Sequence, residues 1–191
     1  MKNYETTLPD GYEEVYRVDA ANKGFAVAFN LIATVITLGI FLVGIALIMP
    51  DDASLDLGDP IYLIGCLISL VYIVLHELTH GAAYKLLTKQ KLTFGLKLSC
   101  AYCGVPHIYV YRKASIIATL APFLVFNIVF LVPVFVAAAL PVKVVSLFLF
   151  AIHFGGCTGD LYCAIIYFFR LRDPRLLTND TGPKQTFYLP R

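Results

Sequence analysis

The sequence contains no tryptophan and few charges: Asp, Glu, Lys and Arg make up 15% of its 191 residues, against roughly 25% in ordinary globular chains. Neither sign dominates, since 15 basic and 13 acidic residues leave a formal net charge of +2. That balance, with no stripe of basic and aromatic residues, excludes a nucleic-acid-binding face. The five cysteines (Cys66, Cys100, Cys103, Cys157 and Cys163) are an odd number without a regular spacing, which excludes a disulfide framework. Cys66, Cys157 and Cys163 lie in apolar stretches and read as small packing residues. The first 23 residues are polar and mixed in charge, so they lack the short apolar core of a cleavable signal peptide. No internal repeat or low-complexity run is present.

What is abundant is apolar residue, at 59%. A chain of this length has little interior in which to hide so much apolar surface, and a bilayer is the natural place for it. Four stretches are long enough for the roughly 20 residues of helix that cross a hydrocarbon core. They run over about 25–49, 61–87, 114–140 and 142–169, the last two separated by Pro141. The expected fold is therefore an all-α membrane domain of four transmembrane helices, occupying residues 1–191 as one unit.

Lys and Arg placement sets the orientation. The loop Pro50–Pro60 has four aspartates and no Lys or Arg, whereas Lys85–Lys113 has Lys85, Lys89, Lys91, Lys97, Arg112 and Lys113 and no acid. Arg170, Arg172, Arg175, Lys184 and Arg191 follow the fourth stretch. The first loop then faces outward, and the middle segment and both termini face the cytoplasm. Within the middle segment, Leu92–Leu98 and Ile108–Tyr111 are rich in β-branched and aromatic residues around a Gly-Val-Pro break. They predict a small cytoplasmic-side β-hairpin between the second and third helices.

His76-Glu77-Leu78-Thr79-His80 is an H-E-x-x-H sequence. On a helix its two histidines share one face and reach one ion, with Glu77 beside them to take a proton from water. The bland reading is chance, but two imidazoles and a carboxylate within an apolar span each cost about 2.5–3.5 kcal/mol or more and need a compensating partner. A metal ion supplies one. Zinc suits two imidazoles and a carboxylate, and a catalytic zinc takes three protein ligands.

Asp160 is the sole acid in the first, third or fourth stretch. The motif lies five to nine residues before Lys85, and Asp160 lies ten before Arg170. At about 1.5 Å per residue, these are similar depths below the cytoplasmic surface on helices running the same way. Asp160 follows Gly155, Gly156 and Gly159, whose small size lets helices approach closely. His153, two helical turns before Asp160, either supports a metal ligand from behind or is a hydrogen-bonded core histidine. Asn127 either contacts substrate or steadies the helix that Pro122 kinks. Cys100, Cys103 and His107 satisfy metal spacing for three positions without a fourth, so a reduced turn is the default and a second metal the alternative.

On these residues the chain resembles the putative zincin peptidases of prokaryotic membranes and, more remotely, the site-2 proteases. The likeness covers about Leu75–Tyr188 and rests on His76–His80, the C-G-V-P-H stretch, Ala121–Asn127, Gly159-Asp160 and the N-D-T-G run Asn179–Gly182. It implies His76, His80 and Asp160 as zinc ligands, Glu77 as general base, and membrane-associated proteins or peptides as substrates. The expected location is the cell membrane, with the active site near the cytoplasmic leaflet. A transmembrane substrate would have to unwind, and the hairpin edge could pair with it. Two other readings are a zinc-binding membrane protein without proteolysis, such as a sensor or chaperone, and a metal transporter.

Overall fold

The computed structural model of the protein describes residues 2–56, 58–97 and 100–191, the side chain of Cys100 excepted. Its long helices are α1 (Lys23–Ile48), α2 (Pro60–Thr88), α3 (Arg112–Val136) and α4 (Leu140–Gly156). A shorter helix, α5 (Thr158–Ile165), continues into a π-helical turn, Ile166–Arg170. Asn22 starts α1 by accepting the Phe25 amide at 3.2 Å, and Asp59 starts α2 by accepting the Ile61 amide at 2.9 Å beside Pro60. No residue of α1 is buried, although Leu31, Val35, Leu42 and Leu47 lie along it. Three helices (α1, α2 and α3) are long and apolar enough to cross a membrane, and the pair α4 and α5 counts as a fourth if taken as one span. That content is compatible with a membrane protein.

The all-α expectation is wrong. The fold is mixed, with strands β1 (Tyr4–Glu5), β2 (Tyr12–Asp19), β3 (Thr93–Lys97), β4 (Cys100–Gly104), β5 (Tyr109–Tyr111), β6 (Leu177–Asp180) and β7 (Lys184–Pro190). Five of them form an antiparallel sheet in the order β1-β5-β6-β7-β2. Its outer pair joins the two ends of the chain, with Tyr12 opposite Pro190 and Asp19 opposite Lys184. Pairing of that range leaves no local signature, and the polar faces of β2 and β7 resemble ordinary termini. The expected hairpin is also re-paired. Residues 93–97 bond to 100–104, while Tyr109–Tyr111 joins the larger sheet between β1 and β6. Leu98, placed in that hairpin by composition, lies outside the described residues. The last apolar stretch is interrupted at Cys157 within a run of glycines.

Two compact units divide the chain. The first comprises Met1–Ala28, Leu75–Pro122 and Gly159–Arg191, and it holds both sheets, α5 and the adjoining halves of α2 and α3. One core cluster joins Val18, Cys163, Ile166, Tyr167, Leu176 and Phe187, and a second joins Tyr84, Val105, Ile108, Val110, Ala114 and Ala118. Arg112 ties these elements by donating to the carbonyls of Tyr167 at 2.7 Å and Leu171 at 3.0 Å. Such charge-assisted bonds satisfy carbonyls that the end of a helix leaves open.

The second unit comprises Phe29–Val74 and Phe123–Thr158. Here Gly155 lets α4 close on α1: an added methyl would come 2.6 Å from the Ala33 carbonyl oxygen. Thr37 donates to the Ala151 carbonyl at 3.2 Å between the same helices. Tyr72, Phe126, Phe130, Val145 and Leu149 form the core of this unit.

Candidate metal centre

The site is built within the first unit, on the last turns of α2. His76 and His80 stand one turn apart, their ring centroids separated by 4.9 Å, as the i and i+4 positions of a helix require. Both are buried. Asp160, in the first turn of α5, faces them: its Oδ2 is 3.2 Å from His76 Nε2 and its Oδ1 is 3.4 Å from His80 Nε2. One donor atom from each of the three lies within 4.8 Å of the others. The two imidazoles therefore direct Nε2 at the carboxylate.

His80 Nδ1 is 2.8 Å from the Ala118 carbonyl oxygen on α3, so that nitrogen carries the proton and Nε2 keeps its lone pair. This is the arrangement by which an outer hydrogen bond orients a metal-binding imidazole. Two imidazole nitrogens and a carboxylate oxygen, converging with one ring tautomer already set, fit a zinc ion with a position left open.

Glu77 lines a cleft of about 90 Å³ together with His80, Tyr84, Tyr102, Cys103, Thr119, Asp160, Asp180 and Gln185. The hairpin β3–β4 forms one wall. It can lie against α2 because Gly81 follows the motif; a methyl there would come 2.7 Å from Phe94 Cζ. The Cys103 backbone amide bonds to the Glu77 carboxylate, so β4 holds the acid in place. The turn between β6 and β7 supports β4 in its turn, through a bond from the Val105 amide to the Asp180 carbonyl at 2.8 Å. Gly182 makes that turn with φ of 93°, a conformation that favours glycine.

Asp180 is the site residue that sequence reasoning passed over. It is 3% exposed, and its carboxylate accepts from the Tyr84 hydroxyl at 2.7 Å, the Gly182 amide at 2.8 Å and Gln185 Nε2 at 3.2 Å. Burial pushes its pKa up to about 6 despite those donors. The signal was present in the N-D-T-G run, but nothing local shows that the run lies beside Glu77.

His153 and Asn127 belong to the second unit. His153 is fully buried, with Nδ1 2.7 Å from the Tyr72 hydroxyl and the rings of Phe123, Phe126 and Phe130 around it. Asn127 Oδ1 is buried without a hydrogen-bond partner among the described residues. Cys103 is buried in the cleft, its thiol pushed up to about 12 by burial and then by Asp180 and Glu77. His107 is exposed, and it forms no metal-binding group with Cys103 among the described residues. The side chain of Cys100 lies outside the described residues.

Residues 69–172 match the model of the family described as Putative zincin peptidase. No curated protein and no solved structure matches the chain. The matched stretch is more than half of the chain and contains His76, Glu77, His80 and Asp160. A zincin is a zinc peptidase, so the match supports a metallopeptidase and implies zinc as its metal. With more than half of its length covered, the chain belongs to the putative zincin peptidase family.

Proposed function

We propose that the protein is an intramembrane zinc metallopeptidase, similar in kind to the site-2 proteases, that hydrolyses peptide bonds of membrane-associated proteins. The observation that carries this reading is the convergence of His76, His80 and Asp160 beside a cleft that Glu77 also lines. Apolar helices on either side of the motif and the asymmetry of Lys and Arg support a four-span chain in the cell membrane. In that arrangement both termini and the site lie toward the cytoplasm.

His76 Nε2, His80 Nε2 and an Asp160 oxygen would hold the ion. Zinc bound there supplies a Lewis acid that polarises the scissile carbonyl and acidifies water. Glu77 accepts a proton from the attacking water, whose oxygen bonds to the carbonyl carbon. The same carboxylic acid returns that proton to the amide nitrogen as the carbon–nitrogen bond breaks, so Glu77 ends in the state in which it began. Asp160 lies between the two imidazoles, and the Ala118 carbonyl keeps His80 in the tautomer needed. The hairpin β3–β4 is a two-stranded sheet whose outer edges carry no third strand among the described residues. An extended substrate segment can add to such an edge.

The test is Glu77→Gln in protein reconstituted with a panel of single-span reporter proteins. Zinc content should stay at about one per chain, while cleavage falls by about 100-fold or more, the usual contribution of a positioned acid–base group. Unchanged cleavage by the variant refutes the assignment. A wild-type chain that holds zinc but cleaves none of the panel points to a binding role instead.

A further inference from the structure

Most polar groups in the cleft beside Glu77 are satisfied within the protein. Asp180 takes three donors, and His80 uses Ala118. Two atoms are left over: Thr119 Oγ1 and Gln185 Oε1 are buried and have no hydrogen-bond partner among the described residues, and both residues line the cleft. Thr119 is 2% exposed and follows Ala118, the residue whose carbonyl orients His80.

While Asp180 is ionised its carboxylate only accepts, so it takes Gln185 Nε2, and this leaves Oε1 as the acceptor. Thr119 brings a hydroxyl that can donate. Leaving either group buried and unmade costs more than a hydrogen bond contributes, so each implies an external partner.

An acceptor and a donor line the same cleft as the proposed base, and one peptide group offers a partner for each. We propose that Thr119 and Gln185 form a substrate subsite that binds a single backbone peptide group of an extended polypeptide. Thr119 donates to its carbonyl oxygen, and Gln185 Oε1 accepts from its N–H. The assignment rests on the peptidase reading and deepens it: the recognised feature is main chain, so the subsite is indifferent to side-chain identity. A hydrolase acting on an unwound segment would need this kind of contact, because an unwound backbone has polar atoms to satisfy. The competing occupant is ordered water, which a polar cleft of about 90 Å³ can hold.

Hydroxamates separate these outcomes by binding to the zinc-loaded full chain without turnover. The probes are acetohydroxamate, which has no peptide group, and N-acetylated alanine hydroxamates of increasing length, unmodified or with one peptide N–H methylated. In the wild-type protein, methylation at one position should weaken binding by about three- to ten-fold, the worth of one hydrogen bond. Gln185→Met should abolish the effect of that methylation. Thr119→Val should weaken the peptide hydroxamates by a similar factor, Thr119→Ser should restore them, and acetohydroxamate should bind all variants alike. The methylation series needs no substitution, so it stands even if a variant fails to fold. Equal binding of methylated and unmethylated probes, or Thr119→Val acting equally on acetohydroxamate, overturns the subsite and leaves the peptidase reading intact. Failure of every hydroxamate, acetohydroxamate included, overturns both.

Discussion

Replacing Asp180 by Asn should remove a pH dependence of stability that the buried carboxylate imposes on the first unit. The carboxylate ordinarily titrates at 3.8, and burial raises it to about 6 in the folded chain. At 1.36 kcal/mol per pKa unit, the gap is worth about 3 kcal/mol. The folded state holds this proton to a higher pH than the unfolded state does. Stability from Asp180 is therefore fully present below about pH 4 and is lost as pH rises through 6. Between pH 5 and pH 7 the loss should be about 1 kcal/mol. Asp180→Asn carries no proton over that range and shows only a constant offset. Denaturation of chelator-treated protein in detergent micelles at several pH values, followed by near-ultraviolet circular dichroism, measures both chains. The tyrosines supply that signal, since the chain has 12 of them and no tryptophan. Subtracting the variant from the wild type cancels the titration of all other groups. Tyr84→Phe, which removes a donor to the carboxylate, should move the window to still higher pH. Parallel curves for wild type and Asp180→Asn between pH 5 and pH 7 would refute the reasoning.

Other perturbations test other parts of the site. Asp160→Ala removes the carboxylate that bridges the two imidazoles, so zinc affinity should fall by more than about 100-fold, beyond what loss of an outer-shell partner produces; elemental analysis after dialysis checks it. Gly104→Ala places a methyl 2.7 Å from the Thr181 carbonyl carbon and 2.8 Å from Asp180 O, backbone atoms that cannot swing aside. Thermal unfolding should show a loss of about 1–3 kcal/mol. Leu96→Pro on β3 takes a backbone donor from the hairpin and should impair cleavage while leaving zinc content unchanged; equal loss of both would refute strand addition by the substrate.

Much of the outline is legible in the chain without coordinates, because it depends on composition and short-range order. An apolar stretch of about 25 residues reads as a long helix, and α1 runs over Lys23–Ile48. Four-residue spacing alone puts His76 and His80 on one side of α2, since a helix repeats every 3.6 residues. Lys85 and Lys89 mark where α2 ends, whereas 142–169 reads as one stretch and the structure interrupts it at Cys157.

What only the tertiary structure decided is long-range in sequence. The five-stranded sheet depends on Tyr12–Asp19 finding Lys184–Pro190, and no periodicity in either segment names the other. Tyr109–Tyr111 was strand-like by composition, but hydrogen bonding chose its partners: β1 and β6, not residues 93–97. Asp180, Thr119 and Gln185 look unremarkable one at a time. They meet because folding buries them around one cleft, leaving Asp180 bound by three donors and two neighbouring atoms with no hydrogen-bond partner among the described residues. Local pattern sets which elements form; desolvation and backbone pairing, which act only once the chain has closed on itself, set which side chains meet and which are left needing a partner.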